Sequence, residues 1–255
     1  MIGRLTFTAR GKGTTTPGRL YGLNVLWAEV DPESFWAARR LRKAGHGFRR
    51  AGVSRLLVPG GFASWGIVGA MGLRPIETEP LIQAQGAPLA LGSLERQGLA
   101  PDRATVALRG SRADRALRQA AVELCPRVRN LVIDVPRGGR ELAQWLRWEF
   151  GMPVLPREMP GQVGLCFHPD SQEEDEVNLG LYGPSPKLAG LSLSAPELAE
   201  EDRENLPLLA ALWEGGRLGP EDIKYLTEPG QTHIMTQNPS LCPLNHKKAG
   251  RKRII

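Results

Sequence analysis

Residues 106–124, VALRGSRADRALRQAAVEL, carry the clearest pattern that could do chemistry. An apolar run ends at Arg109, Gly110 and Ser111 follow, and an amphipathic stretch begins at once. A strand that turns through glycine into a helix N-terminus suits an anion. Unpaired backbone N–H groups and the positive end of the helix dipole converge there. Gly110 permits close backbone approach, and Arg109 and Arg112 could add positive charge. Asp134 ends the next apolar run, near where a dinucleotide fold sets an acidic residue against ribose hydroxyls. Arg137, just beyond, could instead meet a ribose phosphate.

The same residues argue against an ordinary dinucleotide cradle. The fingerprint G-x-G-x-x-G is answered here by GSRADR, with Arg112 and Arg115 where the second and third glycines belong. Side chains there obstruct a pyrophosphate and the close packing of helix on strand. Ser111 and Asp114 also form S-x-x-D, a capping-box pattern. It would satisfy the first helical donors internally and put a carboxylate where a phosphate should lie. The spacing therefore predicts a turn and a cap before it predicts an anion site.

Two other glycine turns compete: PGG (59–61) after an apolar run, and PRGG (136–139) before a helical one. Ligands of open α/β sheets bind at the carboxyl ends of strands. If these turns share that edge, Gly60, Gly61, Gly110, Ser111, Arg112, Asp134, Arg137 and Gly138 form the candidate ligand-binding set. No catalytic residue can be named. Cys166-x-His168, and Cys242-x₃-His246 with His233, match no standard zinc spacing, so no metal site is expected. The nucleophile elbow, the phosphate-binding P-loop and the HExxH motif are all missing from the sequence. The acidic run QEEDE (172–176) reads as a solvated loop.

The elements that must position these residues follow from periodicity. Strand 104–110, helix 112–124, strand 129–135, helix 139–151 and strand 152–156 form a βαβαβ unit, for which parallel pairing is expected. Over roughly residues 50–156 the chain resembles the broad Rossmann-like α/β class, and that resemblance implies a three-layer arrangement around a mainly parallel sheet. Segments 162–169 and 177–184 read as two strands flanking the acidic loop, either extending the sheet or forming an antiparallel appendage. Upstream, 21–30 reads as a strand. A helix is expected to start at Asp31 and Pro32, with Phe35, Ala38, Leu41 and Ala44 inward. Segment 78–98 reads as a helix that Pro88 kinks or divides, and 206–216 as a short apolar helix. The division expected is an irregular arm or edge hairpin over 1–20, one α/β domain over 21–228, and a mobile basic tail over 229–255.

Composition bounds the function classes. The 255 residues are 41% hydrophobic and 24% charged, as in ordinary globular proteins. No apolar run approaches the ~20 residues that span a bilayer, and the first residues contain no apolar export segment, so no membrane partner is expected. Three scattered cysteines suit a cytoplasmic, bacterial-style protein with reduced thiols. The net charge of +6 is patchy: KKAGRKR (247–253) supplies five basic residues, and ARRLRKAGHGFRR (38–50) is a second basic run. Three readings result. The first is a Rossmann-like protein binding a small anionic or nucleotide-like ligand at the strand ends. The second is a divergent oxidoreductase using NAD or NADP. The third is an interaction protein whose basic segments, Lys247–Arg253 above all, contact nucleic acid or an acidic protein.

Overall fold

The computed structural model describes residues 1–171 and 175–227. The described residues build two five-stranded sheets and one two-stranded ribbon. In the first sheet, β1 (Ile2–Phe7) lies between β3 (Leu23–Val30) and β4 (Arg55–Leu57), parallel to both. The short β5 (Arg74–Pro75) extends the far side, and β2 (Lys12–Leu20) runs antiparallel along the outer edge of β3. β2 and β3 form a hairpin closed by Tyr21 and Gly22, whose φ angles of 46° and 80° are those a tight hairpin turn demands.

Residues 1–20 are therefore not an irregular arm. They supply the central strand and the edge strand of a sheet. Leu5 is 1% exposed and packs in a core with Leu26, Ala28, Leu56 and Phe48.

α1 spans Ala37–Arg50, several residues later than the Asp31–Pro32 signal. Asp31 is used locally instead: its carboxylate accepts the Glu33 N–H at 3.2 Å and pairs with Arg40 at 3.3 Å. The inward face is Leu41, Ala44, Gly45 and Phe48, at the spacing of one helical stripe. Phe35, expected inward, lies outside the helix and is exposed. A short α2 (Trp65–Gly69) covers the same core.

The segment 78–98 divides. α3 (Glu79–Ala84) ends at Gln85 and α4 (Gly86–Arg96) begins at once. Pro88 has no N–H to give the Ala84 carbonyl, so one continuous helix would lose that bond. Restarting at Gly86 puts the proline in the first turn, where no donor is missed.

The second sheet is wholly parallel. β6 (Thr105–Arg109), β7 (Asn130–Asp134), β8 (Val154–Leu155), β9 (Val163–Cys166) and β10 (Val177–Gly180) lie in the order β10-β9-β6-β7-β8. α5 (Arg115–Leu124) joins β6 to β7, and α6 (Gly139–Phe150) joins β7 to β8. Counted from β6, the spatial order is 3-2-1-4-5, that of a Rossmann-like α/β sheet. Burial of β6 along its whole length fits a sheet covered on both faces. β10 extends this sheet in parallel and makes no antiparallel appendage. β11 (Leu191–Ser194) and β12 (Lys224–Thr227) form the ribbon, and α7 (Leu206–Glu214) packs near it. The 229–255 tail expected to be mobile lies outside the described residues. Among those described, no helix is long and apolar enough to cross a membrane.

The placement of β1 makes a direct prediction. Leu5→Ala should lower unfolding free energy by about 2–5 kcal/mol in urea, the usual cost of emptying a core leucine site. A loss below about 0.5 kcal/mol would be that of a surface change and would contradict a central β1.

Candidate functional site

The strand order creates a switch point. From β6 the chain moves to β7 and β8 on one side, then returns to β9 on the other side of β6. Crevices outside the carboxyl ends of strands at such a point are where open α/β sheets take ligands. A cleft of about 570 Å³ lies there. Gly110 and Ser111 enter it from the end of β6, Asp134 and Pro136 from β7, and Arg157 and Glu158 from the loop after β8. His168, Asp170 and Ser171 enter from the loop after β9. His168 Nδ1 accepts the Asp170 N–H at 3.2 Å and stands 3.5 Å from the Asp170 carboxylate. Ser171 Oγ is buried and has no hydrogen-bond partner among the described residues.

Beneath the cleft is a buried ion network. Arg109, 1% exposed, donates from Nε to Asp175 Oδ2 at 2.6 Å and from Nη2 to Asp175 Oδ1 at 2.9 Å. Its Nη1 donates to Asp134 Oδ2 at 3.1 Å. Asp175 Oδ1 also accepts the Gly161 N–H at 2.7 Å. Hydrogen bonding to Asp175, aided by its charge and by Asp134, raises the Arg109 pKa above its already high ordinary value despite the opposing effect of burial. The guanidinium is thus cationic at every working pH. Gly164 makes room for the network: a Cβ there would fall 2.1 Å from Asp175 Oδ2.

This network corrects two expectations. Arg109 cannot add charge for a phosphate, because its guanidinium is spent on two carboxylates. Asp175 is no solvated loop residue, since its side chain is fully buried at the far end of that ion pair.

The candidate set separates accordingly. Gly110, Ser111 and Asp134 come together in the cleft. Gly60 and Gly61 do not join them, because they follow β4 in the other sheet. Arg112 and Arg137 form an isolated parallel bridge, reinforced by the Ala113 N–H donating to the Arg137 carbonyl at 2.8 Å. Their backbones staple the two turns together, and neither residue lines the cleft. Gly138 serves as the left-handed residue, φ 77°, that starts α6. Gly110 is a close-approach glycine: a Cβ would fall 3.1 Å from Leu117 Cδ1 of α5.

The cap is also displaced from its expected position. α5 starts at Arg115, and the N-cap is Asp114, whose carboxylate accepts the Leu117 N–H at 3.0 Å. Ser111 is left free of capping and faces the cleft. The helix N-terminus is occupied by its own carboxylate, which opposes any phosphate there.

Sequence reasoning missed Arg157, Glu158, His168, Asp170, Ser171 and Asp175. The first five follow the ends of β8 and β9, so the carboxyl-end rule would have found them once those strands were assigned to the sheet. For Asp175 the available signal was Gly164, a glycine inside an apolar strand, which marks close approach of another group. Among the described residues no group of three or more His, Cys, Asp or Glu side chains comes together to hold a metal. His233, Cys242, His246 and the basic stretch Lys247–Arg253 lie outside the described residues.

No family model matches the chain, and no curated protein matches it. Among solved structures, it is similar to the crystal structure of L-tryptophan dehydrogenase from Nostoc punctiforme, at 15% identity and a TM-score of 0.28. That likeness covers 57% of this chain and 44% of the dehydrogenase, so the chain matches less than half of that protein. It is also similar to a chorismate mutase/shikimate 5-dehydrogenase fusion protein from Clostridium acetobutylicum. There the identity is 10% and the TM-score 0.25, over 69% of this chain and 72% of the other. The Rossmann-like class rests on the chain's own strand order.

Asp114→Ala should destabilise the protein by about 1 kcal/mol in chemical denaturation, as N-cap removal does. Ser111→Ala should be neutral within about 0.5 kcal/mol, as a surface change away from any cap usually is. The reverse ranking would return the cap to Ser111.

Proposed function

We propose that the protein binds a small nucleotide-like ligand in the carboxyl-edge cleft of the parallel sheet, recognised first by its sugar hydroxyls. The observation that carries this reading is the position of the cleft, at the switch point between β6 and β9. Asp134 supports it. The carboxylate sits at the end of the second strand, the side chain is 23% exposed, and one oxygen is held by Arg109. Such an oriented acceptor suits a ribose hydroxyl. Ser171 Oγ supports it as well: it is buried at the cleft and has no hydrogen-bond partner among the described residues. Arg157, which pairs with Glu158 at 3.0 Å, and His168, 3.5 Å from the Asp170 carboxylate, are the cleft residues that an anionic group on the ligand would meet. The N-terminus of α5 plays no such part, because Asp114 fills it.

A divergent oxidoreductase using NAD or NADP is the second reading, favoured by Asp134 standing at the second strand end. Arg112 and Arg115 count against a standard pyrophosphate cradle in that case. A cytoplasmic setting, expected from the three scattered cysteines, belongs to the same proposal.

Thermal shift at low salt against adenosine, AMP, NAD and NADP tests both readings. Saturating ligand at about 100 times its Kd should add about 2.7 kcal/mol of stability. The expected result is a shift with adenosine or AMP that Ser111→Trp removes by filling the cleft. Asp134→Asn should weaken binding about tenfold, equivalent to about 1.4 kcal/mol. A shift only with NAD or NADP would favour the oxidoreductase. A flat panel would overturn both readings.

A further inference from the structure

A second concavity, larger than the carboxyl-edge cleft and sharing no residue with it, lies where the first sheet meets the helices of the second. Its volume is about 840 Å³, within the range of small-molecule sites. We infer that this groove is a binding site for a small ligand with an apolar body and a cationic amine.

The walls account for the apolar part. Six prolines line it: Pro75 of β5, Pro80 of α3, Pro88 of α4, Pro184 beyond β10, Pro207 of α7, and Pro220. Each ring fixes its own backbone φ and presents apolar CH2 groups without an N–H donor, so these wall positions are apolar and locally stiff. Trp213 of α7 and the small Ala116 of α5 also line it.

The polar groups account for the charge. Among the described residues, Glu77, Glu79 and Glu123 line the groove against the one guanidinium of Arg115, a net of two negative charges. Two of these carboxylates are oriented by neighbours. Glu79 accepts the Gly183 N–H at 3.1 Å and the Gln83 side-chain amide at 3.0 Å. Glu123 accepts the Gln119 amide at 2.9 Å. Both keep further lone pairs for donors. An ammonium group brings three donors and no acceptor, which matches a site of fixed carboxylates, and an indole face attracts a cation in addition. A carboxylate-bearing ligand of the same shape meets repulsion. The groove therefore selects by sign of charge as well as by shape.

Calorimetric titration with three isosteric probes tests this: phenethylamine, 2-phenylethanol and phenylacetate, at low ionic strength. Phenethylamine should saturate one site, with phenylacetate at least about tenfold weaker and the alcohol between them. Glu79→Gln should shrink the gap between amine and carboxylate. Ala116→Trp should abolish amine binding while adenosine or AMP binding at the carboxyl-edge cleft is unchanged. Should Ala116→Trp fail to fold, the Glu79→Gln comparison decides alone. Equal binding of amine and carboxylate, absence of saturable amine binding, or an unaltered gap in Glu79→Gln would overturn the inference.

Discussion

A guanidinium removed from water at the end of β6 governs the carboxyl edge of the parallel sheet. Burying an unpaired cation costs several kcal/mol, and only good geometry offsets it. Arg109 meets that condition by a two-point contact with Asp175 and a third bond to Asp134. The network ties β6 to the end of β7, and both to the segment just before β10. Asp175 in turn holds the Gly161 N–H, ahead of β9. The network thus spans the sheet, from the carboxyl ends of β6 and β7 to the segments that lead into β9 and β10. Lysine could not replace Arg109 here, since a point charge on a flexible stem cannot make the forked contact.

That constraint also shapes the chemistry of the cleft. Asp134 is fixed in direction before any ligand arrives, which lowers the ordering cost of binding. The cation that could have met a phosphate is buried below and already neutralised. Asp114 closes the neighbouring helix N-terminus, so the two usual sources of phosphate affinity at this position are both engaged internally. The proposed ligand is therefore one recognised by hydroxyls. The groove beside the first sheet differs in its mainly apolar walls, while carboxylates line both concavities. Two concavities of different polarity thus arise from one arrangement of strands and helices.

Legibility in the sequence followed the range of the interactions. The β6–α5–β7–α6–β8 unit was readable because its apolar runs and helical stripes are local and its connections short. The break near Pro88 was readable because a missing N–H is a property of the residue itself. β1 was not: IGRLTF is interrupted by glycine and arginine, and its partner in β4 (Gly3 opposite Leu56) is remote in the chain. Parallel pairing of that kind leaves no turn signature. The candidate site divides in the same way. Gly110, Ser111 and Asp134 could be named from strand ends, whereas Asp175 sits in a run of acidic residues, and Gly164 signals a close approach without saying which residue makes it. Gly60 and Gly61 looked equivalent to Gly110 because a glycine turn does not say which sheet it serves.

The most direct measurement is a double-mutant cycle on Arg109 and Asp175, using Arg109→Met, Asp175→Leu and the pair together in chemical denaturation. Arg109→Met leaves the buried Asp175 without its cation, and Asp175→Leu leaves Arg109 with Asp134 alone; each should lose about 3–5 kcal/mol. The double variant should recover a large part of that loss, giving a coupling energy above about 1 kcal/mol. Additive losses would contradict the network as the constraint on which this sheet depends.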